Sequence, residues 1–220
     1  MTDDEKKVLC EWRTRLEQIA MRETGGDGSH DLSHFKRVFS LAVMIADKEQ
    51  EPADRLVLLA AAYLHDIVNP RKDSELRPKA SALSADCAGE ILFHEGFPQD
   101  KISAVQHAIV THSFSADMEP YTLEAKIIQD ADRIESLGAI GLARTFYIGG
   151  RLGSKIFDPA DPLAERRALD DSKYAVDHFQ TKLLKLPGLM KTVEGKKIAN
   201  ERALVLTTYI SQLVGELALG

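Results

Sequence analysis

A histidine and an aspartate stand side by side at the end of an apolar stretch, A-A-A-Y-L-H-D-I-V-N-P at 60–70. These two residues are His65 and Asp66, and at helical spacing His65 shares a face with Ala61 and Leu58. A charge that is buried in such a setting costs free energy unless it is paired or bound to a metal. The pair therefore raises the hypothesis of a metal site.

Two further ionisable residues lie on apolar faces of other predicted helices. His34 precedes Val38 by four residues, and Asp132 follows Ile128 by four residues. Any one of them alone is most simply a hydrogen-bonded core residue. Two imidazoles and two carboxylates together suit a divalent ion of the Mn, Fe, Zn, Co or Ni type. Such a mixed set leaves coordination positions for a water, which would have a lowered pKa and act as a nucleophile.

The segments that must carry these residues are predicted to be helices. Apolar residues recur at helical spacing, and neither period-two strands nor Asn-Gly hairpin turns are evident. Helices are predicted over 2–23, from 31, from 52 to 65–68, over 79–95 and 98–112, from 122, and over 172–186 and 194–218. A turn-rich loop is predicted at 149–171. The predicted fold class is all-α, in a single domain over 1–220 with a core at about 26–140 and a C-terminal loop and helices at about 141–220.

Composition excludes several classes of function. The 220 residues are 44% hydrophobic and 28% charged with a formal net charge of −6, which argues against a broad nucleic-acid-binding face. The two cysteines, Cys10 and Cys87, have no CxxC spacing, so neither a disulfide scaffold nor a cysteine zinc site is expected. No apolar run has the length of a membrane span, and the segment M-T-D-D-E-K-K lacks the apolar core of a signal peptide. A cytoplasmic monomer or homodimer is expected, with no membrane or nucleic-acid partner.

Five segments, in this order along the chain, resemble the HD-domain metal-dependent phosphohydrolase superfamily, and in particular its small stand-alone bacterial branch. The segments are S-H-F-K-R-V at 33–38, L-H-D-I at 64–67, T-H-S-F-S at 111–115, Q-D-A-D-R-I-E-S-L-G-A-I-G at 129–141 and K-Y-A-V-D-H-F at 173–179. The resemblance covers nearly the whole chain. It implies a helical HD-domain fold with extra C-terminal helices, and hydrolysis of a nucleotide or related phosphoester or phosphoanhydride.

The resemblance also implies a set of metal ligands. The residues at the matching positions are His34, His65, Asp66 and Asp132, which would hold one divalent ion. Manganese is favoured, and magnesium, iron, nickel, cobalt and zinc remain open. The superfamily's metal aspartate usually stands in an Ala-Asp pair, which selects Asp132 over Asp130. Asp130 would then orient a ligand or take part in catalysis.

Two departures from the superfamily pattern bear on mechanism. Some HD enzymes have a catalytic glutamate three residues after the His-Asp pair, where this chain has Asn69, and the nearest carboxylate is then Asp73. Two-metal HD proteins carry an additional histidine at the position of Ser84. Its absence favours a single metal and weakens a reading as a di-iron oxygenase, although His94 and His112 keep a dinuclear site open.

The remaining candidates would bind substrate or move a proton. Arginine and lysine suit phosphate, and Lys72 and Arg77 are favoured because the resemblance extends through their loop. His112 would donate a proton to the leaving oxygen or contact a phosphate, and Asp66 counts among the catalytic residues as well as the ligands. Weaker substrate-binding candidates are His30, Asn69, Arg71 and Arg133.

Three alternatives stay open at this point. The same chemistry would act on a cyclic nucleotide, a guanosine pyrophosphate alarmone or a small phosphometabolite. A non-catalytic, metal-stabilised nucleotide sensor is encouraged by Asn69. A di-iron oxygenase would hold two irons, and metal counting would separate it from a hydrolase.

Overall fold

The computed structural model describes residues 2–23, 32–70, 74–113 and 118–218. Within these ranges the secondary structure is helical, and the only extended pairing is an isolated bridge between Lys155 and Tyr174, which confirms the predicted all-α class. The residues form two compact units, Met1–Asp132 and Arg133–Gly220. A single domain over 1–220 stays a prediction. None of the described helices combines the length and apolar character that crossing a membrane requires.

The first unit is built around one short, fully apolar helix. Its helices are α1 (Asp3–Glu23), α2 (Leu32–Ala46), α3 (Arg55–Leu64), α4 (Ala80–His94), α5 (Gln99–His112) and most of α6 (Leu123–Glu135), with a 3-10 turn at Arg77–Lys79. Helix α3 packs against α1, α2 and α5, and α4 packs against α5. Every side chain from Val57 to Leu64 is buried, so α3 lies in the core and delivers its C-terminal end to the interior.

The start of α3 is fixed by one aspartate. A carboxylate oxygen of Asp54 accepts hydrogen bonds from the backbone N–H groups of Leu56, at 2.9 Å, and Val57, at 3.2 Å, which is the usual role of an N-cap. Its other oxygen pairs with Lys101 on α5. The backbone N–H of Asp54 donates to Glu124 on α6 at 2.8 Å. This residue therefore ties together the starts of three helices whose other ends carry ionisable side chains.

The second unit contains α7 (Gly138–Leu152), α8 (Asp177–Thr181), a 3-10 segment at Leu183–Leu189 and α9 (Val193–Leu217). Helix α7 continues through Gly149 and Gly150, so the loop predicted from 149 begins only at Gly153, which has φ +75°. A Cβ on Gly149 would meet the Cβ of Ala175 at 3.2 Å. Glycine is therefore used here for close packing inside a helix rather than for a turn.

The helix predicted over 172–186 is wrong over 172–176, and the rest is split between a short α-helix and a 3-10 segment. The backbone N–H groups of Ala175 and Val176 donate to the carbonyls of Lys155, at 2.9 Å, and Ile156, at 2.9 Å. These bonds to a distant part of the chain replace the helical ones. Only Asp177–Thr181 is α-helical before the 3-10 segment begins.

Candidate metal centre

The end of α3 positions His65 with its Nε2 atom directed at a cluster of ionisable groups. His65 directly follows the helix and is fully buried. Its Nδ1–H donates to the carbonyl of Ala62 at 2.9 Å. Because one ring nitrogen is held by the helix backbone, the other, Nε2, is the nitrogen that can bind a metal once it is deprotonated.

The three other predicted ligands surround this nitrogen. The Nε2 atom of His34, on α2, lies 3.2 Å from Nε2 of His65. A carboxylate oxygen of Asp132, on α6, lies 3.5 Å from Nε2 of His34 and 3.6 Å from Nε2 of His65. An oxygen of Asp66 lies 3.8 Å from Nε2 of His65. The fold thus brings together all four residues that the sequence predicts as ligands.

A third imidazole belongs to the same cluster. His112 ends α5 and is buried, its Nδ1–H donates to the carbonyl of Ile109 at 2.6 Å, and its Nε2 lies 3.5 Å from Asp66 Oδ1. His112 also forms a group with His65 and Asp132 whose ligand atoms all lie within 4.8 Å of one another. The sequence predicted that this residue donates a proton or contacts a phosphate and left a dinuclear site that would include it open, but it was not among the four predicted ligands.

A signal for this closeness exists in the sequence. Val105 and Ala108 precede His112 by seven and four residues, and both are buried. The same test of helical spacing that selected His34 and Asp132 would therefore have placed His112 on an inward face.

The charges of the cluster stabilise one another when no metal is bound. Burial by itself would lower the pKa of His65, but the negative charges of Asp66 and Asp132 raise it to about 9. Burial by itself would raise the pKa of Asp132. The contact with His65 and the charges of the three imidazoles hold the pKa of that carboxyl well below its usual range. At neutral pH the metal-free cluster therefore keeps a proton on His65.

The geometry of the cluster fits a single divalent ion. Ligand atoms held at about 2.1 Å from an octahedral ion lie about 3 Å apart when adjacent and about 4.2 Å apart when opposite, and those of a tetrahedral ion lie about 3.4 Å apart. The four ligand-to-ligand distances given above, from 3.2 to 3.8 Å, fall in that range. The His34 and His65 side chains are fully buried, whereas those of Asp66 and Asp132 are 14% and 26% exposed. The carboxylate side is therefore the open side of the cluster.

Ser84, which stands where two-metal HD proteins have an additional histidine, anchors the backbone here. Ser84, on α4, is buried, and its Oγ accepts from the N–H of Val68 at 3.2 Å and donates to the carbonyl of Val68 at 3.1 Å. These bonds anchor the segment that follows the His-Asp pair. His94 is exposed at the end of α4 and lies outside the described groups that could hold a metal.

Among the remaining candidates, the two described arginines have hydrogen-bond partners. Asp130 is fully buried on α6, and Arg133 Nη1 lies 3.5 Å from the carbonyl of Leu189. Arg77 Nη1 donates to the side-chain oxygen of Asn69 at 2.5 Å and to the carbonyl of Pro70 at 3.2 Å. The position that is glutamate in some HD enzymes is thus used to hold an arginine. Four candidates, His30, Arg71, Lys72 and Asp73, lie outside the described residues.

Comparison with known proteins identifies the family. Residues 31–137 match the HD domain family. Over 213 residues the chain is 31% identical to the Bacillus subtilis protein YpgQ, an alignment that spans 95% of this chain and 93% of YpgQ. The chain therefore belongs to the HD-domain superfamily, as its sequence predicts.

Solved structures agree with this assignment. The crystal structure of Bacillus subtilis YpgQ in complex with ADP is similar with a TM-score of 0.72 at 30% identity, over 96% of each chain. An HD-superfamily hydrolase from Bacillus thuringiensis is similar with a TM-score of 0.72 at 27% identity, over 98% of this chain and all of that one. HD domains bind divalent metals, and the cluster described above offers the residues for one.

Proposed function

We propose that the protein is a metal-dependent phosphohydrolase that cleaves a phosphoester or phosphoanhydride bond of a nucleotide. The observation that carries this proposal is the meeting of two buried imidazoles and two carboxylates, those of His34, His65, Asp66 and Asp132, at distances that suit ligands around one ion. The similarity to an HD-superfamily hydrolase supports the reaction class. The solved complex of YpgQ with ADP supports a nucleotide as the substrate.

In this proposal His34, His65, Asp66 and Asp132 hold one divalent ion, and manganese is favoured. When bound, the ion lowers the pKa of a coordinated water and withdraws charge from a phosphoryl oxygen. The chain's own contribution is to hold its ligand atoms in place. The bond from His65 to the Ala62 carbonyl keeps the ring in one orientation and one tautomer, and the buried imidazole side excludes water.

His112 is the residue that we assign to proton donation. Since its Nδ1–H is bonded to the Ile109 carbonyl, the proton for the leaving oxygen is carried on Nε2. Asp66 Oδ1 lies 3.5 Å from this nitrogen, close enough to orient the ring. Asp66 therefore serves catalysis as well as metal binding. The alternative role for His112 is that of an additional ligand, and the two roles differ in their effect on metal affinity.

Arg77 and Lys72 are proposed to bind the phosphate groups of the substrate. A guanidinium presents paired donors that match two phosphoryl oxygens. The hydrogen bonds of Arg77 to Asn69 and Pro70 occupy Nη1 and restrict the rotation of the side chain. The remaining nitrogens of the guanidinium are thereby presented in a limited range of directions, which lowers the entropy lost when phosphate binds.

The test is metal content together with phosphate release from a nucleotide panel. Protein purified without chelator should contain about one metal per chain and release phosphate or pyrophosphate when manganese is added. His65→Ala and Asp66→Ala should lose both the metal and the activity, whereas His94→Gln, at an exposed histidine of α4, should keep both. Full metal content and turnover in the Ala variants would contradict the proposal.

One alternative is favoured by a specific observation. Asn69, at the position of the catalytic glutamate of some HD enzymes, is bonded to Arg77, as expected of a nucleotide sensor that binds without turnover. Metal-dependent nucleotide binding without product on the whole panel would select this alternative. If the panel is extended to cyclic nucleotides, alarmones and small phosphometabolites, product formation with one of them alone would instead redefine the substrate.

A further inference from the structure

Gln129 is a buried glutamine in α6 that makes a hydrogen bond to the end of α5. Its side chain is 1% exposed, and its Nε2 donates to the carbonyl of Thr111 at 2.6 Å. This carbonyl belongs to the last turn of α5, where carbonyl groups have no partner within the helix. Thr111 directly precedes His112, so the bond holds the turn that carries the third imidazole of the cluster.

The orientation of the His112 ring depends on this same turn. The Nδ1–H of His112 donates to the carbonyl of Ile109, two residues before Thr111. A tilt of the last turn of α5 would therefore move the ring together with the backbone. A small displacement of the ring would change its contacts, because its Nε2 lies 3.5 Å from Asp66 and close to His65 and Asp132.

Apart from the Gln129 bond, the main contacts that position α5 come from helices other than α6. It packs mainly on α3 and α4, whereas Asp132 comes from α6. Gln129 and Asp132 are three residues apart on α6, so they share one face of that helix. The Gln129 bond thus connects α5, which carries His112, directly to α6, which carries Asp132.

The side-chain oxygen of Gln129 indicates that this amide is not simply a well-satisfied core group. Gln129 Oε1 is buried and has no hydrogen-bond partner among the described residues. A buried acceptor without a partner lowers stability relative to an apolar side chain of the same shape. The contribution of Gln129 is therefore the placement of Thr111 rather than stability alone.

We infer that Gln129 is a positioning residue for His112: it holds the last turn of α5 against α6 so that His112 Nε2 faces Asp66. The inference rests on the proposed function for its kinetic consequence, but not for its structural one. It assigns Gln129 no contact with substrate. Its effect on the reaction acts entirely through His112.

The kinetic test is a double-mutant cycle on kcat/KM. Gln129→Met removes the donor while keeping a similar volume, and we expect it to lower kcat/KM about tenfold by misplacing the imidazole. In a His112→Ala background the same substitution should change kcat/KM by less than about twofold, because the group that it positions is gone. Losses that multiply in the double variant would overturn the inference.

A second glutamine provides the matched control. Gln106, on α5, donates its Nε2 to the carbonyl of Ala85 on α4 at 3.1 Å, the same type of bond away from the cluster. Gln106→Met removes the same type of bond and should keep kcat/KM within about twofold of the parent, with the melting temperatures of both variants measured alongside. An equal loss of activity in both variants would mean that Gln129 acts through stability alone.

A spectroscopic readout separates this inference from the proposed function. The imidazole resonances of His112 in the metal-free protein, assigned by their absence in His112→Ala, should shift in Gln129→Met and stay unchanged in Gln106→Met. Unchanged His112 resonances in Gln129→Met would refute the positioning role even if no substrate is found. If Gln129→Met does not fold, Gln129→Asn, whose shorter side chain cannot reach Thr111, replaces it in both measurements.

Discussion

Metal binding to the cluster should release one proton near neutral pH. In the metal-free protein the charges of Asp66 and Asp132 overcome the effect of burial and raise the pKa of His65 to about 9, so this ring is protonated below that pH. A metal binds only the neutral imidazole. Manganese affinity should therefore rise about tenfold per pH unit between pH 7.5 and 8.5 and level off above about 9.

The magnitude follows from the difference between this pKa, about 9, and the pH of the measurement. At pH 7 about one molecule in 100 has a neutral His65, so the manganese affinity should be about 100-fold below its limit at high pH. At about 1.36 kcal/mol per pH unit, this is about 2.7 kcal/mol of binding free energy. Free imidazoles titrate near about 6.5. A slope above pH 7.5 therefore reports on a histidine whose pKa is raised.

The assay is isothermal titration of manganese into chelator-treated protein in buffers of different ionisation enthalpy. The dependence of the observed enthalpy on the buffer should give about one proton released at pH 8. His94→Gln, which removes an exposed histidine, should leave this number unchanged. Tight manganese binding with no proton released and no pH dependence would refute the reasoning, because it would mean that His65 is already neutral beside Asp66 and Asp132.

Three further predictions concern single substitutions. Asp132→Asn should weaken manganese binding more than about 100-fold and Asp130→Asn only about tenfold, since a ligand matters more than a residue that orients one; the reverse order in the same titration would make Asp130 the ligand. Asp54→Ala should lower the free energy of unfolding by about 1–2 kcal/mol in urea, because it removes an N-cap and the pair with Lys101; an unchanged midpoint would contradict the role given to this cap. Arg77→Lys should raise KM for the nucleotide about tenfold with little change in kcat, because a lysine lacks the paired donors of a guanidinium; a loss confined to kcat would count against phosphate binding in the ground state.

The helices and the inward faces of most cluster residues were predictable from the sequence. Helical periodicity is a local property, and it places His34, His65 and Asp132 on apolar faces whatever the arrangement of the helices in space. The cost of burying such groups without partners then predicts that they meet. The same test, applied to His112, would have added it to the inward set.

Where the sequence failed, distant segments compete for the same backbone groups. The helix predicted over 172–186 is replaced in part because Ala175 and Val176 bond to Lys155 and Ile156. Gly149 lies within α7 rather than in a loop, and Ala175 packs closely against it. Local propensity cannot anticipate either effect, because each depends on a residue about 20 or more positions away in the chain.

The sequence by itself determined which residue types face the interior and what chemistry they are able to perform. Only the tertiary structure decided which of them meet, and at what distance. Asn69 holds Arg77, Ser84 anchors Val68, and Gln129 reaches across from α6 to the end of α5. These contacts join residues 8 to 18 positions apart in sequence. They form because the packing of the apolar helices sets the spacing between helix ends, and a hydrogen bond tolerates an error of only a few tenths of an ångström.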